Sequence, residues 1–387
     1  MEAKLVGSTN RIKRLSSAKR YIQNHARICY SEKNWDELLE ESFSPKFVGS
    51  LADNGHHSPF DKFDVDFELR EVPKALAMVL NNQGVYATEE KSARYTKMKV
   101  SSHQRELYDK WDSWFNSEIN SRFPESDFPG LYKKSGGKTA AEKLAQENAR
   151  YMTSVFTPTH MTHKVSLRQL NILYHWFNDF VNVTDNSDVF ENRLAWAMDE
   201  FNSLPEIEKW IIPEAQIRMK GGRPFRFFSE REVKERFNED SFAVNYNTSF
   251  ASLAQHQRHR LSTYDVFSGT ELGAPNGFYV LRLVEASGKT DEWIKDLEDV
   301  AEYDFPQAQL LGVSERGLAE NLPAKSIERL CGLAQLETAR NVGEVMSKYA
   351  KAVPSMEKYN QPACRVEGGC HKGGCVFGAD NYLTRLI

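Results

Sequence analysis

Arg258, His259 and Arg260 place two guanidiniums around an imidazole, and Ser268 follows seven residues after this run. Arginine presents a planar fork of donors that matches phosphate and carboxylate, and it keeps its charge at any working pH. Up to three cationic or donor groups at consecutive positions require a neutralising partner, so the run predicts an anionic ligand. The net charge near −4 gives no global attraction to nucleic acid or to an anionic membrane, so anion binding must be local.

Two strands are expected to position such groups. Residues 62–69 alternate strictly, with Phe63, Val65, Phe67 and Leu69 on one face and charged residues on the other, and this pattern indicates a half-buried strand. Phe242, Val244 and Tyr246 repeat the alternation in the second half of the chain. Helical patterns follow in each half, and strands mixed with segregated helices favour an α+β fold. Apolar positions of these helical patterns are Leu107, Trp111, Trp114, Phe115, Leu330, Ala334, Val342, Val345, Met346 and Tyr349.

The length of 387 residues predicts two domains, and we place them at residues 1–200 and 201–387. A Pro- and Gly-punctuated stretch within residues 197–225 supports a junction there. An apolar fraction of 40% and a charged fraction of 27% are typical of a soluble globular protein. No apolar run approaches the length of a membrane span, and the first residues lack the apolar stretch of a secretion signal. The odd count of five cysteines favours reduced thiols and a cytoplasmic location.

Three of the cysteines, Cys364, Cys370 and Cys375, are close together near the end of the sequence, with His371 beside them. Thiolates and an imidazole can bind zinc, but these spacings are not those of a paired C-x-x-C knuckle. A glycine-rich tail with free thiols is the simpler interpretation, and no metal is assigned. His160 and His163 have near-ligand spacing without a carboxylate nearby in the sequence, and they are interpreted as structural.

Several motifs in this order resemble the flavin-dependent thymidylate synthase family. They are Ala26 to Tyr30, Gly55 to Asp61, Glu90-Lys91-Ser92-Ala93-Arg94-Tyr95, Ala149-Arg150-Tyr151, the Arg258-His259-Arg260 run with Ser268, and Arg329-Leu330-Cys331 followed by Ala334-Gln335 and Glu337. The Arg-His-Arg pattern is the most specific of these motifs. Together they span most of the chain.

This sequence differs from the family pattern because its motif is divided between the two halves of the chain. Asn82-Gln83-Gly84 stands in the first half where the family has Arg-His-Arg, whereas Val266 and Thr270 stand in the second half where it has Glu and Arg. Glu302 replaces the arginine of the Ala-Arg-Tyr segment in the second half, and Phe177 aligns with Arg329. This division predicts a tandem duplication in which each copy kept what the other lost. The resemblance thus implies two thymidylate synthase-like domains, each with a mixed or antiparallel sheet.

The resemblance implies roles for individual residues. Arg329 is the candidate catalytic residue, because the matching family arginine faces the uracil and a guanidinium there would stabilise developing negative charge. Binding of dUMP is assigned to Glu90, Ser92, Ala93, Arg94, Arg150, Gln255, Arg258 and Arg329. Binding of FAD is assigned to Ser58, Glu90, Arg168, Arg258, His259 and Arg260. An alternative for Arg150 and Arg329 is pairing with surface carboxylates on helices.

The implied reaction converts dUMP to dTMP with FAD, a reduced nicotinamide (NADPH) and methylene-tetrahydrofolate. The family builds its site at subunit interfaces, so a duplicated chain is expected to act as a homodimer that mimics the family tetramer. Two other interpretations remain open. One is a different flavin- and folate-dependent modification of the pyrimidine C5 position, such as hydroxymethylation. The other is a non-catalytic nucleotide-binding homologue, which Glu302 and Glu320 favour because the family has arginine at those positions.

Overall fold

The computed structural model describes residues 1–93, 96, 98–185, 188–212, 227, 233–260, 262–267, 277–366, 369–370, 375–377 and 385–387. The strands, in chain order, are β1 Glu2–Ser8, β2 Asp64–Pro73, β3 Tyr86–Glu90, β4 Lys134–Ser135, β5 Lys138–Thr139, β6 Pro158–Ser166, β7 Arg236–Phe237, β8 Ser241–Ser249, β9 Ser262–Val266 and β10 Leu310–Leu318.

The α-helices, in chain order, are α1 Leu15–Arg27, α2 Trp35–Leu39, α3 Pro45–Asp53, α4 Lys74–Leu80, α5 Ser102–Arg122, α6 Pro129–Tyr132, α7 Ala140–Ala149, α8 Leu167–Val183, α9 Val189–Asn202, α10 Pro205–Glu208, α11 Phe250–His256, α12 Arg282–Ala286, α13 Thr290–Tyr303, α14 Leu322–Arg329 and α15 Leu336–Ala352. Short 3₁₀ helices are Thr9–Arg11, Ser58–Lys62, Arg150–Met152, Ala319–Asn321, Pro354–Tyr359 and Ala363–Arg365. No helix within the described ranges is both long and apolar enough to cross a membrane.

The chain forms two compact units. Unit 1 contains residues 1–91 and 158–225, and unit 2 contains residues 92–157 and 226–387. Helices α5 and α7 come from the first half of the sequence, yet they belong to unit 2 with most of the second half. The predicted domains 1–200 and 201–387 were defined as two duplicated halves of the sequence, whereas the two units are defined by spatial compactness. The predicted domains therefore stay a prediction.

Unit 1 is built on an antiparallel sheet with the strand order β1-β2-β6-β3. The predicted alternation of β2 is confirmed, because Val65, Phe67 and Leu69 are at most 1% exposed while the intervening positions are not fully buried. Side chains of successive strand residues point to opposite faces, so this strand covers the core with one face. Helix α8 adds its buried face to the same core through Leu170, Leu173 and other residues.

Unit 2 contains an antiparallel sheet with the order β7-β8-β10-β9. Phe242 and Val244 of β8 are buried as predicted, and they pack in one cluster with Val342, Met346 and Tyr349 of α15. A second cluster contains Trp111 and Phe115 of α5 with Trp293 of α13. The α+β prediction is therefore confirmed, with both described four-stranded sheets antiparallel.

The apolar stripe that begins at Leu330 in the sequence belongs to two helices. Helix α14 ends at Arg329 and α15 begins at Leu336, and Leu330 and Ala334 lie in the turn between them. Burial of both residues explains why the stripe continues across the break. This turn matters for the site, because it joins Arg329 to Gln335.

Candidate nucleotide site

The Arg258-His259-Arg260 run lies in the short connection between α11 and β9 of unit 2. Ser249 caps α11 by accepting a hydrogen bond from the Ser252 amide. The backbone amide of His259 then donates to the His256 carbonyl at 3.0 Å, which continues the turn beyond the helix. Arg258 and His259 are partly buried whereas Arg260 is exposed.

His259 is a neutral imidazole rather than a cation. Burial, together with the nearby positive charges of Arg329 and Lys325, lowers the pKa of His259 to about 3. Its Nε2 atom accepts a hydrogen bond from Arg329 Nε at 2.5 Å, which only an unprotonated nitrogen can do. Glu328 Oε2, at 3.7 Å from the same nitrogen, is therefore not an ion-pair partner. The sequence allowed three cationic groups in this run, and the tertiary structure reduces them to two.

Arg329 is held at the end of α14 by a buried ion pair one turn earlier on the same helix. Lys325 Nζ lies 2.6 Å from both carboxylate oxygens of Glu315 on β10, and the two side chains are 3% and 1% exposed. Tyr246 donates to the same carboxylate at 2.9 Å. Such a pair needs satisfied partners in a fixed geometry, so it sets the orientation of α14 on the sheet. Arg329 Nη2 then reaches the carbonyl oxygen of Gln255 at 3.2 Å.

Gln335 joins residues from both halves of the sequence. Arg150 Nη2 donates to Gln335 Oε1 at 2.5 Å, and the Gln255 side-chain amide donates to the same oxygen. Arg150, Gln255 and Arg329 were all predicted to contact dUMP, and unit 2 brings them together. Gln335 belongs to the family-like Ala334-Gln335 motif, yet sequence reasoning assigned it no role in the site. Its position six residues after Arg329 is the sequence signal that could have identified it as a site residue.

Glu337 is connected to this cluster by hydrogen bonds. Its carboxylate accepts hydrogen bonds from the Ser249 amide at 2.7 Å, the Ser249 hydroxyl at 2.6 Å and the Tyr151 hydroxyl at 2.6 Å. The Gln335 side-chain amide donates to the Tyr151 oxygen, so the network runs from Glu337 through Tyr151 to Gln335. Burial raises the pKa of Glu337, although the hydrogen bonds from Ser249 and Tyr151 oppose this shift. The sequence named Glu337 only as part of a motif.

The Arg150 guanidinium fits an anionic ligand. The residue is 8% exposed, and its Nε atom is buried without a hydrogen-bond partner among the described residues. Glu147 Oε1 lies 4.0 Å from Nη2, at the limit of an ion pair. A buried donor without a partner costs free energy, and a phosphate or carbonyl oxygen would satisfy it. Glu337 also lines a cavity of about 620 Å³ with Arg282 and Arg340, a volume suited to a small molecule.

Ser92 and Ala93 belong to unit 2 and are linked to the helix that carries Arg150. The Ala93 carbonyl accepts from Gln146 Nε2 at 2.9 Å, and Gln146 lies on α7, which ends directly before Arg150. The Ser92 carbonyl accepts from the Thr96 amide at 3.1 Å. Several predicted site or motif residues lie outside the described residues; they are Arg94, Tyr95, Ser268, Thr270 and His371.

The other predicted FAD residues belong to unit 1. Arg168 Nη1 donates to Asp61 Oδ2 at 2.8 Å, and Asp61 lies in the same 3₁₀ helix as the exposed Ser58. Arg168, Asp61 and Tyr86 line a cavity of about 500 Å³. Glu90 lies at the opposite end of β3 from Tyr86, and its carboxylate is 1% exposed and 2.6 Å from Lys74 Nζ.

His160 and His163 cannot share a ligand, because residues three apart on a strand point to opposite faces. His160 Nε2 lies 3.0 Å from Glu68 Oε1 on the exposed face of β6, whereas His163 is 1% exposed and stacks on Tyr86 with a ring-centroid distance of 5.8 Å. Within the described residues, no group of three or more histidine, cysteine or acidic side chains stands at metal-binding distances.

The buried His163 is expected to lower the free energy of unfolding in acid. Burial lowers its pKa from 6.5 to about 4, so the unfolded chain binds a proton more readily than the folded one between these values. The stabilisation is complete above the unfolded pKa and is lost as the pH falls through the folded pKa. We expect wild type to lose about 3 kcal/mol of unfolding free energy across this window relative to His163→Phe.

Urea unfolding at several pH values measures this difference. His160→Gln, on the exposed face of the same strand, is the matched control and should keep the wild-type pH dependence. An identical pH dependence in wild type and His163→Phe would contradict the assignment of the loss to this buried imidazole.

Comparison with known proteins finds one family model that matches part of the chain. Residues 12–178 match the family model Thy1, described as thymidylate synthase complementing protein. No curated protein sequence matches the chain. The resemblance that the motifs of the first half predicted is therefore confirmed by a match of residues 12–178 to the family model.

Solved structures of two proteins are similar to part of the chain. Thymidylate synthase X of Helicobacter pylori, crystallised with FAD and dUMP, is 16% identical, covers 55% of this chain and 98% of its own, and has a TM-score of 0.31. The UMP/dUMP methylase PolB of Streptomyces cacaoi, bound with 5-Br dUMP, is 13% identical, covers 54% of this chain and 93% of its own, and has a TM-score of 0.29.

Proposed function

We propose that this protein is a flavin-dependent enzyme that methylates dUMP to dTMP, with methylene-tetrahydrofolate as carbon donor and NADPH as reductant. The observation that carries the proposal is that Arg150 and Gln255 both donate to Gln335 in unit 2, while Arg329 donates to the carbonyl oxygen of Gln255. These residues come from both halves of the sequence, and each was assigned to dUMP from its motif alone. The match of residues 12–178 to the family model supports the same function.

The roles follow from charge and burial. Arg150 has a buried donor without a partner among the described residues, so it would bind the phosphate or a carbonyl of the nucleotide. Gln255, Arg258, Ser92, Ala93 and Arg94 complete the proposed nucleotide set, together with Glu90. FAD would be held by Ser58, Glu90, Arg168, Arg258, His259 and Arg260, and when bound it supplies the hydride that reduces the transferred carbon.

Arg329 would stabilise negative charge that develops on the pyrimidine. A guanidinium beside the N3 edge supplies this stabilisation without a covalent bond to the base. His259 accepts from the Nε atom and so orients the fork. A neutral imidazole is required for this, because a protonated ring would repel Arg329.

The two sheets support a tandem duplication. Each sheet contains, in the same chain order, an edge strand, a long strand that is followed by a seven-residue helix, and a later long strand. Glu90 is the last residue of β3 and pairs with Met161, the fourth residue of β6. Val266 is the last residue of β9 and pairs with Val313, the fourth residue of β10. The strand register thus gives the same alignment of Glu90 with Val266 as the motifs.

Under this proposal each copy supplies what the other lost, and one complete site forms per chain. Arg150 remains where the second copy has Glu302, and Arg329 remains where the first copy has Phe177. The assembly would be a cytoplasmic homodimer that corresponds to the family tetramer. The halves 1–200 and 201–387 would be the two copies.

Absorbance spectroscopy and product analysis test the function. Purified protein should bind FAD, dUMP should shift the flavin absorbance, and incubation with dUMP, methylene-tetrahydrofolate and NADPH should yield dTMP. Formation of 5-hydroxymethyl-dUMP in place of dTMP would support the alternative C5 modification. Protein that binds neither FAD nor dUMP would contradict the proposal.

A further inference from the structure

One face of helix α15 lines a cavity of about 620 Å³ in unit 2. The lining residues Glu337, Arg340, Asn341 and Glu344 recur at the spacing of a helical turn, so they project from the same side of α15. None of the described residues that are assigned to dUMP or FAD lines this cavity. The cavity is therefore a candidate site separate from the nucleotide site.

Another part of the cavity wall is formed by the segment that contains Tyr279 and Arg282. The Tyr279 amide donates a hydrogen bond to the Ala308 carbonyl oxygen at 2.8 Å, which ties this segment to the start of β10. Leu281 and Leu283, on either side of Arg282, are buried in the core of unit 2. These contacts fix the backbone that carries Arg282 beside the cavity.

The carboxylate of Glu337 already accepts hydrogen bonds from several donors. They are the amide and the hydroxyl of Ser249, the Tyr151 hydroxyl and the Thr248 hydroxyl, the last at 3.2 Å. A carboxylate has about four acceptor positions, and these four donors fill them. Glu337 therefore has no acceptor position left for the arginines of the cavity, although it lines the same space.

The guanidinium of Arg340 has no acidic partner in the part of the chain that the structure describes, where no carboxylate lies within 4.0 Å of it. Glu344 is 62% exposed and lies 3.6 Å from Lys348, one turn further along α15. Burial and the negative charge of Glu337 raise the pKa of Tyr279, and the nearby Arg340 guanidinium opposes this shift. Arg340 is thus placed at the cavity with its positive charge available to a ligand.

We propose that this cavity binds the phosphate group of a small organic molecule through Arg282 and Arg340. A phosphate monoester has three terminal oxygens and a charge of about −2, so it can accept hydrogen bonds from two guanidinium forks at once. Asn247, Asn341 and Ser347 also line the cavity and would form hydrogen bonds with the rest of the ligand. The volume exceeds that of a phosphate ion and is typical of small-molecule sites. The inference does not depend on the proposed function.

Calorimetric titration of the full chain with inorganic phosphate tests the proposal. Wild type should bind phosphate with millimolar or tighter affinity, and Arg282→Gln and Arg340→Gln should each weaken binding by roughly 10-fold or more. Lys351→Gln is the matched control, because it removes the same charge from the exposed end of α15 outside the cavity. This control and Arg150→Ala should both bind phosphate as wild type does.

Three results of this titration would overturn the proposal. They are the absence of phosphate binding at millimolar concentrations, an Arg340→Gln variant with wild-type affinity, and loss of binding in Arg150→Ala alone. Tighter binding of succinate than of phosphate would also overturn it, because the cavity would then select a carboxylate. None of these measurements uses FAD or dUMP, so a failure of the proposed function would leave their outcome unchanged.

Protection of arginines from phenylglyoxal covers the case in which a variant misfolds, because it uses the wild-type protein. This reagent modifies guanidinium groups, and mass spectrometry of peptides identifies the modified positions. Phosphate should slow modification of Arg282 and Arg340 several-fold, whereas the exposed Arg14 in unit 1 should react at an unchanged rate. Protection of Arg150 without protection of Arg340 would assign phosphate to the nucleotide site and rule out a second one.

Discussion

Replacement of Arg329 by alanine is expected to lower kcat for dUMP conversion by roughly 10²–10³-fold, because it removes the group that stabilises charge on the pyrimidine. Arg329→Lys should recover only a small part of this loss, since an ammonium cannot donate to both His259 and Gln255 from one planar fork. Single-turnover oxidation of the reduced flavin, measured at saturating dUMP, separates the chemical step from binding.

Glu328→Gln is the matched control for this experiment. Glu328 is adjacent to Arg329, its side chain is 60% exposed, and its 3.7 Å contact with His259 is not an ion pair if the imidazole is neutral. The control should therefore keep wild-type kcat. An Arg329→Ala variant with wild-type turnover would show that another group activates the uracil.

Replacement of Arg150 by alanine is expected to weaken dUMP binding by about 1.5–3 kcal/mol, which corresponds to roughly 10–150-fold. The change removes a largely buried guanidinium whose Nε atom has no partner among the described residues. Arg122→Ala is the control, because Arg122 pairs with Glu118 on the surface of α5 and lies outside the proposed site. Titration of the flavin absorbance with dUMP measures both affinities.

Mixing the Arg150→Ala and Arg329→Ala proteins tests whether the site belongs to one chain. Arg150 and Gln255 contact the same Gln335 oxygen within unit 2, and Arg329 contacts Gln255 there. At a dUMP concentration too low to saturate Arg150→Ala, a mixture of Arg150→Ala and Arg329→Ala chains, unfolded and refolded together, should therefore be no more active than the two variants measured separately. Recovery of a substantial fraction of activity would show that different chains contribute the two arginines, as the family's interface sites imply.

Local patterns in the sequence were sufficient for the strands and for the order of the motifs. The alternation of Phe63, Val65, Phe67 and Leu69 determines which face of β2 is buried, because successive strand side chains point to opposite sides. Family-like spacing also identified Arg150, Gln255 and Arg329 as one group before any distance was known.

Contacts between distant segments needed the tertiary structure. Gln335 and Glu337 looked like ordinary motif residues, and only packing shows that they join Arg150, Tyr151, Ser249 and Gln255 into one network. Helices α5 and α7 belong to unit 2 although the sequence places them in the first half.

The sequence by itself determined which residue types are present, their periodicity and the complementary losses between the two halves, since these depend on neighbours a few positions apart. The tertiary structure alone decided the charge of His259 and the partners of Arg150 and Arg329. A pKa depends on burial and on nearby charges, and both are set by segments that are far apart in the chain. For the same reason, the neutral imidazole that orients Arg329 could not be read from a run of residues that suggests three cations.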